Sequence, residues 1–358
     1  MDRSARIPFQ SKLSKFSRFR FTLVWLSLLL ALVVLCEAPC YGASKALRVV
    51  VLTDAAGLGD KGFNDVCWRG VERARAEFGL SAQFLQSREQ ADYLSNLTLA
   101  TQYGDVVVTL GFLYTDAVKQ FVPRFPESRF IHIEGEIEGE NIASFDFKSE
   151  EGGFLAGVCA GLFTKAKKVG VVSGMDIPPV EAYLSGFRAG IKTAEKQRGE
   201  EIELIVTSVG SFNDPVKGKA LAQALIEKGA DVIFRLAGNS GIGVLEAVKD
   251  TKGVYLIAED LDLDAEYPGK VLTSTLKRMD VAVYEAIRSI VRGELKGGHR
   301  WLGIREGAVG ITEMKYSSQL YSAIDLRRIA KARELLEQNK LSVPKRGSEV
   351  EAFQPPEL

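Results

Sequence analysis

Thr53-Asp-Ala-Ala-Gly-Leu-Gly-Asp-Lys-Gly-Phe-Asn64 follows directly on the largely apolar run Leu47 to Leu52. A short β-branched run ending in turn residues reads as a buried strand. The apolar periodicity that follows, Asn64–Glu77, reads as a helix. The loop between them carries acids, glycines, an aromatic ring and an amide. In an open α/β sheet ligands sit in the crevice beyond the carboxyl ends of the strands. Ring, acid and amide together suit a flat polar molecule, stacked on the ring and hydrogen-bonded at its edge.

Working outward, the same alternation repeats. Val49–Leu52, Val106–Leu110, Phe130–Ile133, Val169–Val172, Leu204–Thr207, Val232–Phe234, Tyr255–Ala258 and Val271–Ser274 read as strands. Asn64–Glu77, Tyr93–Gln102, Glu150–Phe163, Val180–Lys196, Val216–Lys228, Gly241–Val248 and Val281–Val291 read as helices. Repeated β-α alternation implies parallel sheets covered on both faces, an α/β fold. The pattern restarts near Val169 without a Pro/Ser linker, which predicts two lobes joined by strands that cross a hinge. The expected boundaries are 46–147 plus about 260–305 for the first lobe and 148–259 plus about 306–341 for the second. The tail 342–358 loses the pattern, gathers Pro344, Pro355 and Pro356, and is expected to be loosely ordered.

The N-terminus reads as an export segment over residues 1–43. Six basic residues and one acid precede residue 21, and Phe21 to Leu35 runs without a charge. That run is short of the roughly 20 residues a membrane helix needs. Its end holds Cys36 and Cys40, either of which could be the acylated cysteine of a lipoprotein, although Leu35 and Pro39 fit poorly before such a residue. The protein is therefore expected outside the cytoplasm, periplasmic or anchored to the plasma membrane. Basic and acidic residues balance at 46 each over the whole chain; without 1–43 they number 40 and 44, a net charge of −4. With no basic block this argues against nucleic acid as a partner. Cys67 and Cys159 sit in apolar helical patterns and read as buried thiols. Neither of these two sits in a metal-ligand spacing such as CxxC, and His132 and His299 are the two histidines, so neither a zinc site nor a histidine-based triad is indicated.

Candidate binding residues gather at strand ends. Asp54, Phe63 and Asn64 follow the first strand, although Asp54 and Asn64 would also serve as helix caps. Glu134 ends Phe130-Ile-His-Ile-Glu-Gly135, where His132 reads as a core residue. Met175 lies in Gly174-Met-Asp176 after the strand at 169–172. Gly210-Ser-Phe-Asn-Asp-Pro215 offers Phe212 beside an amide and an acid, the logic of the first loop repeated in the second half. Gly238 lies in Ala237-Gly-Asn-Ser-Gly-Ile-Gly243, whose glycines permit close approach of backbone to a ligand. Asp260 and Lys277 end two further strands, and an acid with an amine suits vicinal hydroxyls. Gly57 and Gly59 form neither a dinucleotide fingerprint nor a P-loop.

These pieces stand in order with Glu150-Glu-Gly-Gly-Phe-Leu-Ala-Gly157, Gly186-Phe-Arg-Ala-Gly190, Gly218-Lys-Ala-Leu-Ala222 and Val271-Leu-Thr-Ser-Thr-Leu-Lys-Arg-Met-Asp280. Together they closely resemble the basic membrane protein family of bacterial substrate-binding proteins, whose best-understood members are purine nucleoside receptor lipoproteins. The resemblance covers about 47–315. It implies a type I periplasmic-binding-protein fold, two lobes of parallel sheet flanked by helices and joined by a three-strand hinge. It also implies a monomer that captures a purine nucleoside and hands it to an ABC permease in the membrane, with no cofactor and no turnover. Phe63 and Phe212 would then stack on the two faces of the base, Asn64 and Glu134 would bond its edge, Asp54 would line the same wall, and Gly238, Asp260 and Lys277 would hold the ribose. Glu134 departs from the Asp usual in nucleoside receptors and sets its carboxylate one methylene further out.

Three other readings use the same residues. The scaffold could bind a different, sugar-like metabolite. Asp54, Glu134 and Asp260 could supply acid and base to a nucleoside-cleaving enzyme, although no paired-carboxylate spacing supports that. A cytoplasmic ligand-sensing regulator is opposed by the export segment.

Overall fold

The computed structural model of the protein describes residues 46–358. The export segment 1–43, with Cys36 and Cys40, lies outside them.

Two six-stranded sheets form two lobes. In the first the strand order is β11 (Gly298–Leu302), β5 (Ile142–Phe147), β4 (Arg129–Ile133), β3 (Val106–Leu110), β1 (Arg48–Thr53) and β2 (Ser81–Gln86). In the second it is β12 (Val309–Ile311), β10 (Val271–Lys277), β9 (Tyr255–Ala258), β8 (Val232–Leu236), β6 (Lys168–Ser173) and β7 (Glu203–Ser208). All pairings are parallel except β10 with β12. The apolar runs legible in the sequence are the central strands. Val49 to Leu52 and Val106 to Val108 are all buried, since helices cover both faces.

The strands that sequence reading passed over are mostly peripheral or interrupted. β2 is a largely exposed edge with the mixed sequence Ser-Ala-Gln-Phe-Leu-Gln, so no hydrophobic period marks it. β11 is the opposite edge. β5 is buried, but Asp146 breaks its apolar signal; this carboxylate takes a contact from His299 Nε2 on β11 at 3.0 Å.

Nine helices of at least seven residues cover these sheets among the described residues: α1 (Phe63–Phe78), α2 (Tyr93–Tyr103), α3 (Thr115–Phe121), α4 (Ser149–Phe163), α5 (Pro178–Arg198), α6 (Pro215–Glu227), α7 (Ser240–Lys249), α8 (Met279–Val291) and α9 (Ala323–Glu337). Several glycines of the quoted motifs work here rather than at a ligand. A Cβ on Gly157 would stand 2.1 Å from the Phe187 carbonyl oxygen, and one on Gly186 2.1 Å from that of Glu150. α4 and α5 therefore pack backbone to backbone. Gly243 does the same for α7 against α6, where a Cβ would meet the Pro215 carbonyl at 1.8 Å.

The chain passes between the sheets three times, after β5, after β10 and after β11. The expected first-lobe segment starting near 260 is corrected by this topology. β10 pairs with β9, Val271 opposite Leu256, so 260–277 belongs with the second sheet and the crossing falls at Lys277–Arg278. α8 then packs on the first lobe, with Val283 and Ile287 in one cluster with Val71 and Ala74 of α1. The tail also differs from expectation. It lies along α5: Lys192 Nζ donates to the Val350 carbonyl at 2.9 Å, Lys196 Nζ to that of Pro355 at 3.0 Å, and Phe353 meets Phe154 edge-on. Irregular backbone without a periodic pattern is held here by side chains of two neighbouring helices, Lys192 and Lys196 of α5 and Phe154 of α4.

Candidate functional site

The carboxyl ends of both sheets face a shared cavity of about 650 Å³, including the part open to solvent. β1 ends at Thr53, and Asp54 begins the loop. Asp54 Oδ1 accepts from Ala56 N at 3.1 Å and from Asn64 Nδ2 at 3.1 Å. Asp60, almost fully buried, ties the same loop together. Its carboxylate accepts the backbone N–H groups of Gly62, Asn64 and Asp65 at 3.0, 2.9 and 3.2 Å, and the Asn64 side-chain amide at 3.1 Å. These N–H groups open α1, where helix termini leave donors unpaired and an anion is favoured. Burial nevertheless pushes the Asp60 carboxyl up, to about 6, and burial raises Asp54 as well. Phe63 and Asn64, the first residues of α1, are thereby fixed at the cavity wall.

Glu134 and Asp260 both have left-handed backbone, φ 67° and 60°. Such conformations are strained for non-glycine residues and concentrate at functional sites. At Asp260 the turn breaks strand alternation, so Glu259 and Asp260 both line the cavity. Glu259 Oε1 accepts from Ala237 N and Gly238 N at 2.9 and 2.8 Å, which fixes the loop after β8. Burial raises its carboxyl to about 7. Lys277, at the end of β10, forms a buried ion pair with Glu134 of the first lobe. Burial drives the Lys277 ammonium down, but Glu134, Tyr183 and Asp260 outweigh it and hold it above its ordinary value. Its Nζ also lies 4.9 Å from the Tyr183 ring centre and 5.9 Å from that of Phe63. Burial is likewise the main cause raising Asp260, to which the Tyr183 hydroxyl donates at 3.3 Å.

Phe212 reaches the cavity from the loop after β7. Its ring lies over Gly174, where an added Cβ would stand 2.2 Å from Cδ1. Asp54, Phe63, Asn64, Glu134, Phe212, Gly238, Asp260 and Lys277 all line the cavity, and Met175 does not. Ile177 at the end of the Met175 loop and Pro179 and Val180 in the first turn of α5 reach it instead. His132 is a core residue, its ring held between Thr109 Oγ1 at 2.7 Å and Thr115 Oγ1 at 3.1 Å.

Sequence reasoning left out Asp60, Tyr183, Glu259 and Arg235. Asp60 stood in the opening stretch, and its place before a helix was the available signal. Glu259 is hidden by strand alternation, which would have turned it away from Asp260. Arg235 reads as an interior strand position. It is fully buried, and its Nη2 crosses to the first lobe to donate to the Lys61 carbonyl at 2.8 Å. Lys61 in turn pairs with Glu266 of the second lobe. The lobes thus meet across the cleft.

Two α/β lobes joined by three crossings, with a polar and aromatic cavity between them, define a solute-binding protein with the type I periplasmic-binding-protein fold. A crystal structure of an ABC transporter solute-binding protein from Aeropyrum pernix K1 superposes with a TM-score of 0.80 at 26% identity, covering 86% of this chain and 96% of that one. The family described as ABC transporter substrate-binding protein PnrA-like, Bmp, matches residues 47–346, and the chain belongs to it. An uncharacterized lipoprotein of Pyrococcus abyssi is 33% identical over 310 residues, 81% of this chain and 76% of its own length. Basic membrane protein D of Borreliella burgdorferi is 30% identical, covering 84% of this chain and 89% of its own. A protein of Lactococcus lactis named ABC transporter nucleoside-binding protein BmpA is 29% identical, covering 83% and 89%. Proteins of this family take a small-molecule ligand and work with an ABC permease.

Proposed function

We propose that this protein captures a purine nucleoside between its lobes and delivers it to an ABC permease, without turning it over. The observation that carries the reading is the pair Phe63 and Phe212, brought to one cavity from opposite lobes. Two rings can stack on both faces of a flat base, each stack contributing about 1–3 kcal/mol. The carboxylates and amide of the first-lobe wall then bond the base edge, and Asp260 with Lys277 suits ribose hydroxyls. The nucleoside-binding name of the Lactococcus lactis relative agrees with this. Closure over the ligand supplies the state that the permease recognises. The lipoprotein name of the Pyrococcus abyssi relative supports an exported protein held at the membrane surface. No helix among the described residues is long and apolar enough to cross a membrane.

Isothermal titration with inosine, guanosine, adenosine and a panel of monosaccharides tests the reading. Micromolar or tighter binding of nucleosides supports it; heat with a sugar and none with any nucleoside overturns it. Release of free base from inosine on incubation would move the protein to a nucleoside-cleaving enzyme.

A further inference from the structure

Arg235 of β8 is the largest fully buried side chain among the described residues, yet it does not line the cavity. Its Nη2 donates to the Lys61 carbonyl of the first lobe at 2.8 Å, two residues before Phe63. On its own lobe Nε lies 3.9 Å from Glu259 Oε1, the atom that accepts from Ala237 N and Gly238 N. The guanidinium thus stands between the loop that presents Phe63 and the carboxylate that holds the Gly238 loop. Two glycines make room for it. A Cβ on Gly241, in the first turn of α7, would stand 2.8 Å from Nε and 3.0 Å from Cδ, and one on Gly62 would lie 3.5 Å from Nη2. Lys61 is held a second time. Its backbone is left-handed, φ 49°, and its ammonium pairs with Glu266 and lies 3.4 Å from the Tyr267 hydroxyl, both of the second lobe. That ion pair is open to solvent and contributes little. The buried bond from a charged donor is the stronger of the two.

We propose that Arg235 is a positioning residue that clasps the Phe63 loop to the second lobe when the lobes close, and so sets how long the ligand is retained without touching it. The proposal rests on the nucleoside reading above. Neither Arg235 nor Lys61 lines the cavity, so the clasp stabilises the closed form whichever nucleoside lies inside. The bond to the Lys61 carbonyl joins the two lobes and must break when they part. The ligand enters the open form before the clasp is made and leaves only after it is undone. Loss of the clasp therefore appears in the dissociation rate and not in the association rate. A hydrogen bond to a charged group corresponds to about 10- to 100-fold in an equilibrium constant.

Stopped-flow binding of inosine, guanosine and adenosine to the full exported chain tests it, with Arg235→Met and Gly241→Ala beside the wild type. Arg235→Met removes the donor. Gly241→Ala keeps Arg235 but displaces its guanidinium, and alanine is a better helix former than glycine, so α7 keeps its fold. Should Arg235→Met fail to fold, Gly241→Ala decides. Dissociation is expected to quicken about 10- to 100-fold, with association within about threefold of the wild type. A purely structural role would lower the fraction of protein that binds and leave both rates of that fraction unchanged. That result, or dissociation as slow as in the wild type or slower, overturns this inference and leaves the nucleoside reading standing. Binding of none of the three nucleosides to the wild type overturns the nucleoside reading, and this inference with it.

Discussion

Gly174 lies outside the cavity lining, yet it sets where Phe212 stands. A Cβ added there would come within 2.2 Å of Phe212 Cδ1 and 2.3 Å of Cε1. Carbon atoms in contact sit about 3.5–4.0 Å apart, so Gly174→Ala must drive the ring at least about 1.3 Å from its place. The ring borders an open cavity and can yield, so the overpacking cost to stability is expected at the low end of about 1–3 kcal/mol. The loss should instead appear in binding. Displacing one of two stacking rings removes up to the value of one base–aromatic stack, about 1–3 kcal/mol, a rise in Kd of about 5- to 150-fold. Phe212→Ala should cost a similar amount. The double variant should cost no more than Phe212→Ala alone, because the added methyl then has nothing to displace. Titration calorimetry of the four proteins closes this cycle. Additive losses, or wild-type affinity in Gly174→Ala, would refute the claim that Gly174 positions the ring for the ligand.

Three further outcomes follow from the buried charges and the tail. Glu134→Ala leaves Lys277 buried without its partner and should destabilise the protein by about 3–5 kcal/mol in urea unfolding, whereas Glu134→Leu with Lys277→Met should recover most of that loss. His132 is held neutral: burial lowers it from 6.5 to about 3. The unfolded chain therefore binds one more proton between these values, and the contribution of His132 to stability is complete above pH 6.5 and lost as pH falls toward 3. The stability difference between wild type and His132→Gln should shrink over that window by about 1.4 kcal/mol per pH unit; a difference independent of pH would refute it. Removing residues 342–358 uncovers the surface under Val350 and Phe353 and should cost about 2–4 kcal/mol, seen as a lower Tm by calorimetry.

The central strands were legible because parallel strands buried on both faces are continuous apolar runs, as at Val49 to Leu52. The edges β2 and β11 were not, since half-exposed strands need no such pattern. The same limit applied at the site. Phe63 and Phe212 could be named from their loops, because a ring beside an amide and an acid at a strand end has no obvious core position. Met175 shared that placement, yet Ile177 and Val180 reach the cavity in its stead, a matter of how the loop enters α5. The glycines at 157, 186 and 243 were visible, but their use in helix packing was not.

By itself the sequence determined the two-lobed α/β architecture, the strand ends that carry ligand-binding groups, and the family resemblance, all written in local pattern and order. Only the tertiary structure decided that Glu134 and Lys277 pair across the lobes and that β10 belongs to the second sheet. These depend on groups up to 143 residues apart. Which donor finds which acceptor at such separations is fixed by the packing of whole lobes, and no local pattern records it.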